Sequence, residues 1–270
     1  YIAWAAQQPQ APTREFWQQA FAGLEGPTHL PGIADAAADA PAAKMPPLTH
    51  DLVVPPELDQ ALRAFAAQHR VTLNTVMQAA WSLVLARHAG ATDVVFGVTS
   101  AGRPAGLAGA DRMLGVFINT LPLRVRTHGA QSVGELLRGI QDTGAAMREF
   151  EHVALADIQA QSGVGGNLFD TLLVFQNLPD LSDRARQVAG LSLRQHDNIE
   201  QTHYGLTIEV MPDQRFVVRF TADGGRVAAP TQVEARGPED RTWGPAVGFA
   251  NRDRLDDHYR KHGAEFGDIS

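Results

Sequence analysis

The chain has 270 residues, 44% hydrophobic and 20% charged, with a formal net charge of −7 and no cysteine. Mild acidity without a basic patch argues against nucleic acid and anionic membrane as partners. No apolar run reaches the roughly 18 residues of a bilayer span, and the lack of cysteine excludes disulfides, thiolate metal sites and a cysteine nucleophile. No charged start with an apolar core marks a signal peptide, so a cytoplasmic protein is expected. The start at Tyr1, in "YIAW", reads as a cut from something longer.

The first predicted element is a helix capped at Thr13, with Phe16, Trp17, Ala20, Phe21 and Leu24 on one face and Gly26-Pro27 as its stop. Residues 34–47 are Ala/Pro-rich and read as a surface connection. "THDLVV" reads as a short strand, and Pro55-Pro56 starts a helix running to about His69. The next helix has Thr72 as N-cap, Leu73, Val76, Met77, Ala80, Trp81 and Val84 as its apolar stripe, and Gly90 beyond its end. "DVVFGVTS" is apolar on both faces and predicts a fully buried strand. After the loop "AGRPAGLAGADR", the stretch "MLGVFINTLPLR" reads as another buried strand, interrupted by Asn119-Thr120. A helix with Val133, Leu136, Leu137, Ile140 and Met147 inward follows, and "EFEHVALADI" reads as a helix with a solvated acidic side. Strands are expected at "DTLLVFQN", "GLTIEVM" and "RFVVRFTA", with Pro212-Asp213 turning between the last two. This order predicts a layered α/β domain with a mixed sheet over residues 1–223. Residues 224–270 lose periodicity and form a separate, poorly packed tail.

Several stretches, in order, resemble the C-terminal half of a non-ribosomal peptide synthetase condensation domain. They are "YIAW", "FWQQAFAGLEGPTHLPG", "TLNTVMQAAWSLVLARHAGATDVVFGVTSAGRP", "MLGVFINTLPLRV", "REFEHVALADIQ", "NLFDTLLVFQN" and "THYGLTIEV". The resemblance implies a chloramphenicol-acetyltransferase-like lobe of the CoA-dependent acyltransferase fold. Two such lobes enclose a tunnel where an acceptor amine attacks a donor thioester and an amide bond forms, as in antibiotic and other secondary metabolite biosynthesis. Both substrates ride on the 4'-phosphopantetheine arms of carrier domains, which act as tethers; no directly bound cofactor and no metal are expected. Implied partners are peptidyl and aminoacyl carrier domains, an adenylation domain and the missing N-terminal lobe. That lobe carries the family's paired histidine followed by Asp and Gly. Of the ten histidines here none adjoins another and none has Asp four residues on. The chain is therefore expected to supply tunnel wall and docking surface, to contain no catalytic residue, and to be inactive alone.

Within this picture Ser100, Gly102, Arg103, Gly115, Asn119, Thr120 and His203 are the candidate tunnel residues. A tunnel for thioesters and amides needs a few fixed hydrogen-bonding groups on apolar walls. Asn119 brings an amide and Thr120 a hydroxyl, and Gly115 permits close backbone approach. The alternative is that the pair only satisfies backbone groups at a strand end. Arg103, in the loop after a buried strand, can pair with a carboxylate of the other lobe or a carrier phosphate, or simply bridge the lobes. Ser100 lacks the glycine two residues before it that a hydrolase elbow requires; Val98 is there. His203 opens a strand, facing a cleft or satisfied structurally. His196-Asp197 with Glu200 make an acid–base pair only if they converge. His258 and His262 share a helical face but lack the zincin Glu, since Tyr259 follows the first. A non-catalytic docking module for carrier or adenylation domains is the alternative function, and the ending "HYRKHGAEFGDIS" faintly resembles a toxin module.

Overall fold

The computed structural model describes residues 1–33, 45–104, 106–110, 112–176, 187–188, 191–192, 202–213 and 215–227. Most of the 34–47 connection, the groups His196, Asp197 and Glu200, the pair His258 and His262, and the tail beyond Val227 lie outside the described residues.

The helices follow their end signals. Helix α1 is Ile2–Ala6 and α2 is Gln10–Phe21. The start of α2 lies upstream of the expected cap: Thr13 is inside the helix and buried, and its hydroxyl donates to the Pro9 carbonyl at 2.8 Å. The helix also stops earlier than Gly26-Pro27, at Ala22, with Gly23 in the left-handed region at φ 71°. Helix α3, Pro56–His69, starts on the double proline, whose fixed φ suits a first turn. Helix α4, Leu73–Ala89, is capped by Thr72, whose side chain accepts from the Thr75 N–H, and ends on Gly90 at φ 65°. Helix α5, Val133–Met147, carries a reciprocal capping box between Ser132 and Glu135, a signal present in "SVGE". The expected helix "EFEHVALADI" is broken instead. A 3₁₀ turn, Arg148–Phe150, leads through a bend into α6, Leu155–Gln161.

Strands β1 (Leu48–Val53), β2 (Asp93–Ser100), β3 (Asn119–Arg126), β4 (Thr171–Phe175), β7 (Leu206–Met211) and β8 (Val217–Ala222) form one mixed sheet in the order β1-β8-β7-β4-β2-β3. β5 (Gln187–Val188) and β6 (Leu191–Ser192) pair separately. β4 runs parallel to both β2 and β7, and the other pairs are antiparallel. The core lies under the β2–β4 half, where Val94, Val95, Phe96, Leu121, Leu123, Leu172 and Leu173 are buried. The β1 edge is exposed along its whole length. Helix α4 packs on β2 and α5 on β3. Arg124 fastens the β3 edge: it makes a two-pronged ion pair with Asp93 at 2.6 and 2.9 Å and donates to the Ala20 and Ala22 carbonyls that end α2.

The face that α4 buries differs from the expected stripe. Thr75, Val76, Gln78, Ala79, Trp81, Ser82 and Leu85 face inward, while Ala80 and Val84 are exposed. Apolar residues nearly encircle this helix, so their spacing does not single out one face. Among the described residues no helix is long and apolar enough to cross a membrane.

Candidate functional site

β2 and β3 are joined by a long loop, residues 101–118, and their register sets Ser100 opposite Asn119 and Thr99 opposite Thr120. The loop folds back on itself through Gly102. Its φ is 61°, and a Cβ there would stand 1.7 Å from the Phe117 carbonyl oxygen, so no other residue fits. Within the loop the tight backbone contact is thus at Gly102. Gly115 is exposed and contributes a φ of 145°, which also favours glycine.

Arg103 is spent on the loop itself. Its guanidinium donates to the Ala110 and Met113 carbonyls and lies 4.3 Å from the centre of the Phe117 ring. Phe117 is buried in turn against Tyr1, edge-on at 5.1 Å. Tyr1 stacks on Trp4, and Trp4 meets His152 edge-on at 5.7 Å. Ser100 Oγ donates to the Glu151 carboxylate. Asn119 Nδ2 donates to the Glu151 and Val153 carbonyls at 2.8 and 2.7 Å, while its Oδ1 accepts from the Thr120 N–H at 2.9 Å. Asn119 thus satisfies backbone groups at a strand start and holds the bend after α5 against the loop.

Thr120 has a different task. Its side chain hydrogen-bonds the phenol of Tyr204, which burial holds above its ordinary pKa. Tyr204 stacks on Phe169 at 5.5 Å, and Phe169 lies over Gly97, where a Cβ would meet its ring at 2.6 Å. "YIAW", "SAGRP", "MLGVFINTLPLR", "REFEH", "NLFD" and "THYG" are far apart in sequence, yet these contacts join them.

His203 stands apart. It is exposed and leans on the Tyr204 ring at 4.2 Å in another groove, of about 480 Å³, lined also by His29, Gln159, Asp170 and Arg226. There the buried Asp170 accepts from the Leu30 N–H at 3.0 Å and lies 3.6 Å from His29. Burial pushes its carboxyl up, against the opposing pull of Leu30, His29 and Arg226.

Two residues at the loop escaped the sequence reading, Glu151 and His152. Both sit in the bend between the 3₁₀ turn and α6, and only that bend turns them toward Ser100 and Trp4. Burial lowers the His152 pKa, with the Glu149 backbone and Glu151 opposing, and its Nδ1 has no partner among the described residues. Just before β3 the loop shows apolar side chains to solvent. Leu114 is fully exposed, Val116 is 90% and Ile118 69% exposed. The predicted strand is thus shorter than its apolar run and begins at Asn119. Among the described residues no cluster of His, Asp and Glu can hold a metal ion.

Around the loop, fixed hydrogen bonds to Glu151 and Val153 lie beside apolar side chains. The model of the condensation domain family matches residues 1–225. The chain belongs to the condensation domain family. It is 37% identical over 241 residues to one of the linear gramicidin synthase proteins of Brevibacillus parabrevis, covering 87% of this chain and 3% of that protein. Chondramide synthase cmdD of Chondromyces crocatus is 38% identical over 233 residues, covering 86% of this chain and 6% of that protein. The chain therefore spans a small part of each relative. Among solved structures, the first condensation domain of the calcium-dependent antibiotic synthetase, in complex with a substrate analogue, matches with a TM-score of 0.64 at 20% identity. That match covers 84% of this chain and 50% of the other, and it establishes the mixed α/β fold as that of condensation domains, a CoA-dependent acyltransferase fold.

Proposed function

We propose that this chain forms one wall of the channel in which a non-ribosomal peptide synthetase condensation domain makes an amide bond. The donor enters as an aminoacyl or peptidyl thioester and the acceptor as an aminoacyl amine, each on the pantetheine arm of a carrier domain. The amine nitrogen bonds to the thioester carbonyl carbon, the carbon–sulfur bond breaks, and the amine proton passes to the departing thiolate. The wall's share is positioning and exclusion of water from the two reacting ends. Gly102, Arg103, Ser100 and Asn119 clamp the loop in one place, which suits that task. The proton-handling histidine comes from a complementary N-terminal lobe with the double-histidine motif, and an adenylation domain charges the carrier.

The observation that carries this reading is the row Leu114, Val116 and Ile118, exposed beside the clamped loop. A soluble surface does not keep such a row bare without a partner, and the chain equals about half of the solved condensation-domain chain it matches (50%). The complementary lobe is the cover that fits. Donor- and acceptor-loaded carriers are incubated with this chain alone and with this chain joined to a double-histidine lobe, and products are read by mass spectrometry. Dipeptide appears only with the joined protein. Dipeptide made by this chain alone overturns the proposal.

A further inference from the structure

A second cavity opens beside the loop, between α4, α5, the C-terminal end of β2 and the N-terminal half of β3. Its volume is about 130 Å³, roughly tenfold more than a single water requires. Its floor and far wall are apolar, formed by Val98, Leu121, Leu123, Ile140 and Met147. Gln78 lines it from α4 with only 9% of its surface exposed. The Gln78 amide makes no hydrogen bond to another described residue and opens to the cavity, while the Asn74 Oδ1 beside it is buried without a partner among them. Interiors almost always satisfy such groups. The neighbouring polar groups are already paired: Thr75 Oγ1 donates to Gln141 Oε1 at 2.5 Å, and Ser100 donates to Glu151 at the rim. The charged Arg148, exposed, and Glu151 line it too, but no charged residue lies beside Gln78 on α4.

We propose that this cavity receives an aminoacyl side chain ending in a neutral carboxamide, a specificity pocket of the channel inferred above, on which reading it rests. A methylene stem fits the apolar walls. A primary amide offers an acceptor and two donors, the complement of the Gln78 amide, so two reciprocal hydrogen bonds satisfy both groups. A leucyl side chain fills similar space but leaves Gln78 unpaired. Arg148, the one cation among the described lining residues, is exposed, so a carboxylate gains no buried ion pair. A hydroxyl side chain shares part of the hydrogen-bonding chemistry and lacks the reciprocal pair.

Glutaminyl, threonyl and leucyl N-acetylcysteamine thioesters are titrated into the ¹⁵N-labelled chain, and the Gln78 side-chain amide resonances are followed. The glutaminyl probe shifts those resonances and binds at least about tenfold tighter than the leucyl probe, with the threonyl probe weaker than the glutaminyl one. Gln78→Leu removes the preference and leaves leucyl binding unchanged. Equal affinities for glutaminyl and leucyl probes, or a preference that survives Gln78→Leu, overturn the pocket; threonyl binding tighter than glutaminyl overturns the carboxamide assignment. If circular dichroism shows Gln78→Leu unfolded, Asn74→Leu in the same wall is read by the same criteria. The titration needs neither carriers nor a second lobe, so its failure is separable from failure of the dipeptide assay.

Discussion

The two halves of "MLGVFINTLPLR" and its continuation share one pattern and meet opposite fates. Leu114, Val116 and Ile118 alternate along residues 113–118 and stand in solvent, while Leu121, Leu123 and Val125 alternate along β3 and are buried. The ladder with β2 starts at the Ser100–Asn119 pair, and only beyond it does α5 cover the strand. Alternation therefore reports an apolar face that needs cover; it does not say that the same chain supplies it. Asn119 marks the boundary, with its amide tied to the carbonyls of Glu151 and Val153.

Substitutions on the two sides measure that difference. Leu123→Ala removes a side chain that is 1% exposed and is expected to cost about 3 kcal/mol in urea unfolding. Leu114→Ala is expected to change stability by less than about 0.5 kcal/mol. Equal costs would erase the contrast. Next in size is Arg124→Leu, which leaves the partly buried Asp93 without its paired guanidinium. Burial alone would raise the Asp93 carboxyl, yet Arg124 and Arg126 hold it below its ordinary value. A loss of about 2 kcal/mol is expected after allowance for the partial exposure of Asp93. Because that carboxyl is depressed in the fold, its contribution is present above the unfolded pKa and disappears as pH falls through the folded one. The stability difference between the parent and Arg124→Leu should therefore shrink below about pH 4.

Asn119→Ala comes third, at about 1–2 kcal/mol. Its larger signature is local: faster hydrogen exchange in residues 148–153 with β3 unchanged. Exchange spread evenly over the sheet would mean that Asn119 does more than hold the bend. The smallest effect belongs to His152. Burial depresses its pKa, so the unfolded chain binds a proton more readily. Stability is complete above the ordinary value near 6.5 and declines as pH falls below it. His152→Gln should make that decline shallower by at most about one proton, read from unfolding free energies between pH 7 and 5.

The succession of strands along the chain and the ends of α3 and α4 were legible because local chemistry wrote them: the double proline before α3, Thr72 and Gly90 around α4, and the uninterrupted apolar run of β2. What stayed hidden depends on the third dimension. Leu73, Val76, Met77, Ala79, Ala80, Trp81, Leu83, Val84 and Leu85 nearly encircle α4, so packing chose the face that carries Thr75, Gln78 and Ser82 inward. That Ser100 to Thr120 connect two strands was legible in the sequence. Their tasks were not, since Arg103 meets carbonyls seven and ten residues on, and Glu151 reaches Ser100 only through the bend after α5. His203 has the right strand position but belongs to the Asp170 groove.

Amide hydrogen exchange across residues 113–118 is the most direct test of a wall awaiting its counterpart. It is measured on this chain alone and on this chain joined to a double-histidine lobe. Exchange in Leu114, Val116 and Ile118 should slow at least about tenfold in the joined protein while β3 stays as protected as before. Identical rates in the two proteins would contradict the account.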